Sequence, residues 1–178
     1  MIAIEQIKIK QIKWSPLFQN EIQEIYRMLK DQEHKIFDLS WYNMDGNIMN
    51  YIEDRIKEDL VFIVTYDGEV CAFFILENPR IFNDVITRVD VHTAVRKKYW
   101  GKTSRDIMNA FKDYIFNKYK IKKIIAQVPQ NGYGVIKLLK DIGFKHEGTL
   151  KQSLIFLNKN NQPKYYDELI YSLTNEEI

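Results

Sequence analysis

Val91-His92-Thr93-Ala94-Val95-Arg96-Lys97-Lys98-Tyr99-Trp100-Gly101-Lys102-Thr103-Ser104 holds an alternating segment, a basic loop, a glycine and a run of hydroxyls in that order. The alternation begins upstream. Val85, Thr87, Val89, Val91, Thr93 and Val95 fall on one face of a strand, and Ile86, Arg88, Asp90, His92 and Ala94 on the other. Downstream, Ile107, Met108, Phe111, Tyr114 and Ile115 recur at helical spacing and predict a helix over 104–118. A helix start offers unpaired N–H groups and the positive end of the helix dipole. Gly101, without a Cβ, lets the backbone come close to a ligand. Lys98, Lys102 and Arg105 add charge at the same place, so the segment reads as a phosphate cradle. The spacing is not that of a Walker loop. Taken alone, the same loop is also readable as an ordinary turn beside a solvated run of charge.

Outward from this segment, the chain alternates between strand and helix signals. On the N-terminal side, 60–66 and 70–76 are β-branched and aromatic runs joined by Asp67-Gly68, a hairpin turn signal. Asn78-Pro79 is expected to end the second run. Before them, Asn50 to Leu60 reads as a helix that begins a few residues earlier. Ile36 to Tyr42 has no clean period, and Asp45-Gly46 is a turn. Ser15-Pro16 opens a helix carrying Leu17, Phe18, Ile22, Ile25, Tyr26 and Leu29, which polar Asp31 to His34 are expected to end. Ile2 to Ile12 reads as the first strand.

On the C-terminal side, 122–128 is a strand ending at Pro129, and 135–141 a short helix closed by Gly143. The segments 144–157 and 165–173 are two closing strands, with a turn around Lys159-Asn160-Asn161 and Pro163. The order is strand, two helices, three antiparallel strands, helix, strand, helix, two strands. It predicts a mixed α/β sandwich of seven strands and four helices in a single domain spanning 1–178.

Composition narrows the function. The 178 residues are 46% hydrophobic and 13% aromatic, enough for a folded core. Net charge is +2 from 26 basic and 24 acidic residues, which disfavours a general polyanion binder such as a nucleic-acid protein. The one cysteine, Cys71, excludes a disulfide framework and a cysteine zinc cage, and it fits a reducing compartment. No apolar run reaches the length of a membrane span, and residues 1–10 lack the block of a signal peptide. The expectation is a cytoplasmic protein, a monomer or homodimer, with no metal site and no membrane partner. Trp14, Trp41 and Trp100 read as packing anchors, and Cys71 as a small buried hydrophobe.

The ordered set of motifs resembles the GNAT family of acetyl-CoA-dependent N-acetyltransferases. Lys98-Tyr99-Trp100-Gly101-Lys102-Thr103 stands where the family has its pyrophosphate loop, Gln/Arg-x-x-Gly-x-Gly/Ala. The strand 124–128, the segment from Asn131 to Asp141, and Gly143-Phe144 follow in the family's order. Gly143-Phe144-Lys145-His146-Glu147-Gly148 and the tail 165–173 are similar to the ribosomal-protein N-acetyltransferase branch. Val91-His92-Thr93-Ala94-Val95 also resembles phage-encoded relatives of that branch. The likeness runs from about Leu60 to the C-terminus; the N-terminal part agrees in element order only.

The resemblance implies a GNAT fold whose sheet splays at the acetyl-CoA site. It implies that the pantetheine arm pairs with the backbone at Thr93, Ala94 and Val95, and that the pyrophosphate rests on amides between Lys98 and Ser104. Lys98, Gly101, Lys102, Thr103, Ser104 and Asn131 would complete the acetyl-CoA site. The chain departs from the family at several positions. Lys98 replaces Gln/Arg and Thr103 replaces Gly/Ala. Asn131 lies one residue early relative to Gly143. Leu139 stands where many relatives have a tyrosine that protonates the departing thiolate, and Gly134 or Val135 where the ribosomal branch often has serine. Tyr133 is the nearest substitute donor.

Acetyl transfer to an amine needs a base. Asp90 and His92 share the strand face that would flank the acetyl group, and carboxylate and imidazole are both side chains that can take a proton from an amine. Each also has an ordinary structural role open to it: His92 as a hydrogen-bonded strand histidine, Asp90 as a partner of Arg88 or a lysine. Glu77 and Asp167 are further carboxylates in reach of the same chemistry. A backbone N–H near Val95 would meet the oxyanion. The acceptor is expected to be a primary amine, on a protein N-terminus or a small molecule. The segment 36–50 would line its side, with Asp38 and Asp45 as attracting charges. The rival reading is a GNAT scaffold that binds CoA or a partner without turnover.

Overall fold

The computed structural model describes residues 7–13, 15, 18–36, 48–58, 60–157, 160 and 162–176. Seven strands form one sheet in the order β1-β2-β3-β4-β5-β7-β6. They are β1 (Ile7–Ile12), β2 (Leu60–Tyr66), β3 (Glu69–Phe82), β4 (Val85–Val95), β5 (Lys123–Pro129), β6 (Lys145–Leu157) and β7 (Pro163–Thr174). The helices are α1 (Gln19–Ile36), α2 (Ile48–Glu58), α3 (Lys102–Tyr119) and α4 (Tyr133–Asp141). Ile2, Ile4, Trp14, Pro16, Trp41, Asp38 and the Asp45-Gly46 turn fall outside the described residues.

Strand alternation explains the two-sided core. In β2 and β3, Phe62, Val64, Phe74 and Leu76 point to the face covered by α3, where Ile107, Met108, Phe111 and Ile115 meet them. Val61, Ile63, Phe73 and Ile75 point to the other face, against Ile22, Ile25 and Leu29 of α1 and Ile52 and Ile56 of α2. Strands buried on both faces must read as near-continuous apolar runs, as 60–66 and 70–76 do. Phe74 and Phe111 stack with centroids 3.7 Å apart, and Phe62 meets Phe111 edge-on at 5.4 Å, so aromatics seat α3 on the sheet.

Two boundaries differ from the sequence expectation. Asn78-Pro79 does not end β3. The strand continues to Phe82, and the register shifts between Glu77 and Arg80 while Asn78 takes φ +52°. A bulge leaves its extra residue out of the ladder, so a proline without an N–H is tolerated there. Likewise α1 does not end at His34 but remains helical to Ile36. Polar side chains do not stop a helix when no Gly or Pro follows.

The feature that positions the site lies mid-sheet. The parallel pair β4–β5 is joined only at Val89↔Ile124 and Asp90↔Ile125. On the N-terminal side Lys122 N–H still donates to the Ile86 carbonyl at 2.9 Å, but on the C-terminal side of those two pairs the strands part. β4 stays on β3 through Val95 opposite Ala72, and β5 stays on β7 through Pro129 opposite Glu168. The sheet is therefore splayed between the C-terminal ends of β4 and β5.

Candidate active site

The splay exposes one backbone edge of β4. Arg96 N–H donates to the Cys71 carbonyl, so in the regular stretch of β4 from Asp90 to Val95 the even-numbered residues turn their amides toward β3. Odd-numbered residues turn theirs the other way. Thr93 and Val95 thus face the gap, and Ala94 does not. The expected backbone pairing at Ala94 is corrected on this ground, because its amide group belongs to the β3 ladder opposite Phe73.

The gap leads into the basic loop. Lys97–Tyr99 forms a 3₁₀ turn, and Trp100 donates its indole N–H to the Val95 carbonyl at 2.9 Å, tying the loop to the strand end. Trp100 is 52% exposed, so it is a latch on the surface rather than a core anchor. Gly101 has φ +91° and ψ −126° and caps α3 without a side-chain hydrogen bond. A Cβ there would meet nothing within 4 Å, so glycine is required by the backbone angle and the space above it is open. The first turn of α3 presents the N–H groups of Lys102, Thr103 and Ser104, and no acidic residue lies in it.

The side chains of the loop are placed differently from the sequence expectation. Lys98 does not reach the helix start. Its ammonium pairs with Glu69 on the β2–β3 hairpin, which also accepts from Tyr99 Oη at 2.8 Å. Arg96 pairs with Glu24 of α1. Arg105 bonds Asp141 of α4 at 2.9 Å. Ser104 is buried and donates its hydroxyl to the Gly101 carbonyl at 2.8 Å, leaving its backbone N–H for a ligand. Thr103 is half-buried and Lys102 exposed; no partner for Lys102 is found among the described residues. The residues that could hold a pyrophosphate are therefore the Gly101–Ser104 backbone and Lys102. Glu24 and Glu69 were missed from sequence. Equal steps along the β3–β4 pair, carried past Val95, bring Lys98 opposite Glu69, so the register held that signal.

The candidate bases also separate. Asp90 accepts from Arg88 Nη2 at 3.0 Å and from Asn78 Nδ2 at 3.2 Å. It braces the β3 bulge, and the base role expected of it is not supported by this geometry. Asp167 accepts from Lys151 Nζ at 2.7 Å and Gln152 N–H at 3.0 Å, which hold its carboxyl below the usual range. It fastens an irregular stretch of β6. His92 is different. Its side chain is 46% exposed, and its Nε2 lies 3.4 Å from Glu77 Oε2. Tyr133 begins α4 at 77% exposure, and Asn131 is exposed in the turn before it. Leu139 is buried in the core, so no proton donor stands at that position.

A cavity of about 460 Å³ lies at the other end of β4, lined by Ile12, Ile56, Leu60, Leu76, Ile86 and Val89 among others. It has none of the amide-and-glycine character of the loop.

A model of the GNAT acetyltransferase domain matches residues 15–170. The chain belongs to the GNAT acetyltransferase family. No curated protein matches it in sequence. Solved structures match in fold. The ribosomal-protein-S5-alanine acetyltransferase of Vibrio fischeri superposes with TM-score 0.68 at 17% identity, covering 97% of this chain and 94% of that one. Spermidine N-acetyltransferase of Vibrio cholerae, in complex with CoA and spermine, gives 0.70 at 15% identity, covering 96% of each chain. A Salmonella typhimurium structure with its cofactor acetyl-CoA gives 0.65 at 16%, covering 97% and 96%. Within this GNAT fold, no helix among the described residues is long and apolar enough to cross a membrane.

Proposed function

We propose that this GNAT chain moves the acetyl group of acetyl-CoA to a primary amine by direct attack. The observation that carries the reading is the two-pair junction of β4 and β5, whose opening runs straight to Gly101 and the start of α3. The residues fit acetyl-CoA. Thr93 offers an N–H and a carbonyl to a ligand amide on the gap edge. The Gly101–Ser104 amides and Lys102 suit its pyrophosphate.

Acetyl-CoA supplies an electrophilic thioester carbon. The chain's own residues supply the rest. A backbone N–H on the gap edge meets the charge that develops on the carbonyl oxygen. His92, on the face opposite Val89 and Val91, takes the proton that the attacking nitrogen must lose as the C–N bond forms and the C–S bond breaks. With Leu139 buried and Tyr133 exposed, the leaving thiolate takes its proton from solvent.

The acceptor is a protein N-terminus or a small amine, and the ribosomal-protein branch with its phage-encoded relatives is the nearer reading. A reducing cytoplasm is the compartment this reading assigns. The absent donor at Leu139 gives weight to the rival, a CoA-binding scaffold without turnover. Thiol release from acetyl-CoA across a panel of spermidine, alanine-initiated peptides and amino sugars separates the two. Turnover with at least one amine is expected. Acetyl-CoA binding with no thiol release from any of them would favour the scaffold.

A further inference from the structure

Glu77 is the only charged side chain buried among the described residues, at 9% exposure. It sits at the last regular pair of β3 before the bulge, opposite Asp90, with its side chain under α2. Two elements hold it. Tyr51 of α2 donates its hydroxyl to Oε1 at 3.0 Å, and Arg55 Nη1 lies 3.9 Å from the same oxygen. On the other side Oε2 faces His92 Nε2 at 3.4 Å. A carboxylate removed from water costs several kcal/mol unless its partners compensate, and an apolar residue of similar size would cost less there. The neighbouring carboxylate Asp90 is already taken up by Arg88 and Asn78 and cannot substitute for it.

We propose that Glu77 is a positioning residue for His92. Its Oε2 keeps Nε2 in the protonated N–H form, so the ring's lone pair stands on Nδ1. Nδ1 is then the atom that takes the amine proton, and the Glu77 carboxylate offsets the imidazolium charge that results. Glu77 itself is buried, while the His92 side chain is nearly half exposed. Tyr51 and Arg55 fix Glu77, which links α2 to His92 on β4. This inference rests on the base role given to His92 above.

Histidine-¹⁵N long-range spectra of the full chain read the ring directly, without an acceptor. A single Nε2–H form of neutral His92 is expected in the wild type, and a mixture of tautomers in Glu77→Leu. Glu77→Gln, closer in shape, serves if the leucine variant folds poorly. In the panel assay, using the amine that turns over fastest, Glu77→Gln should lower kcat about tenfold or more and leave KM for acetyl-CoA within about twofold. Adding it to His92→Gln should cost nothing further. Equal tautomer populations in wild type and variant would overturn the proposal, as would an equal kcat loss in the His92→Gln background. If His92→Gln keeps wild-type turnover, the base role fails, and the spectra alone then decide whether Glu77 fixes the ring.

Discussion

Lys98 and Arg96 enter the phosphate loop as cations, yet both turn away from the helix start toward Glu69 and Glu24. Glu69 is held below the usual carboxylate range, first by the hydrogen bond from Lys98 and then by that from Tyr99. A folded-state pKa below the unfolded one gives stability that is full above about pH 4 and is lost as pH falls through the lower folded value. Lys98 is correspondingly raised, chiefly by Glu69, so its share is lost only as pH rises through a value above the ordinary lysine range. The melting temperature of the wild type should fall on acidification below about pH 4. Glu69→Gln should start lower at neutral pH and fall less between about pH 5 and 3. Parallel curves would remove Glu69 from the acid limb. Trp100 is the second residue on which the loop depends. Trp100→Phe keeps the ring and loses the N–H to the Val95 carbonyl. One lost hydrogen bond is worth about 1 kcal/mol, so acetyl-CoA should bind about fivefold more weakly with the fold unchanged. Titration calorimetry giving equal affinities would show that the latch does not order the site.

At the level of elements, α4 is closed by Gly143. Phe144 N–H donates to the Leu139 carbonyl and Gly143 N–H to that of Lys140, with Gly143 at φ +99°. A Cβ at that position would meet Leu173 Cδ1 at an ordinary 3.5 Å, so the penalty for Gly143→Ala lies in the backbone alone. It should cost about 1–2 kcal/mol, or roughly 2–8 °C in melting temperature. No change would mean the helix end relaxes into another turn. Glycine and turn residues made these boundaries legible: Asp67-Gly68 and Gly143 each sit where a positive φ is needed. Asn83-Asp84 is a further turn of this kind, both residues with positive φ. Counting equal steps back from it brings Glu77 opposite Asp90. What the sequence hid was the bulge at Asn78-Pro79, because a proline that breaks a regular ladder is harmless where the ladder is already interrupted.

Across the molecule, the mixed sheet was readable from element order, because strand, helix and strand in succession demand a parallel pair, while its splay was implied by the family resemblance alone. The charge arrangement was less so. Lys98, Ser104 and Arg105 are side chains of the right kind in the right place, and each is diverted by a partner distant in sequence or by a backbone carbonyl of its own turn. Asp90 and His92 look equivalent along β4, and only the packing of α2 and the bulge separates a paired carboxylate from an imidazole beside Glu77. The backbone, by contrast, is where the site is least ambiguous. If acetyl-CoA occupies the gap, the amides of Thr93 and of Lys102, Thr103 and Ser104 acquire acceptors they lack in the free protein. Residue-resolved amide hydrogen exchange with and without acetyl-CoA tests this directly. Exchange should slow at those four amides while that of β6, on the far edge of the sheet, stays constant. Unchanged exchange there under saturating acetyl-CoA, with protection appearing elsewhere, would contradict the placement of the site.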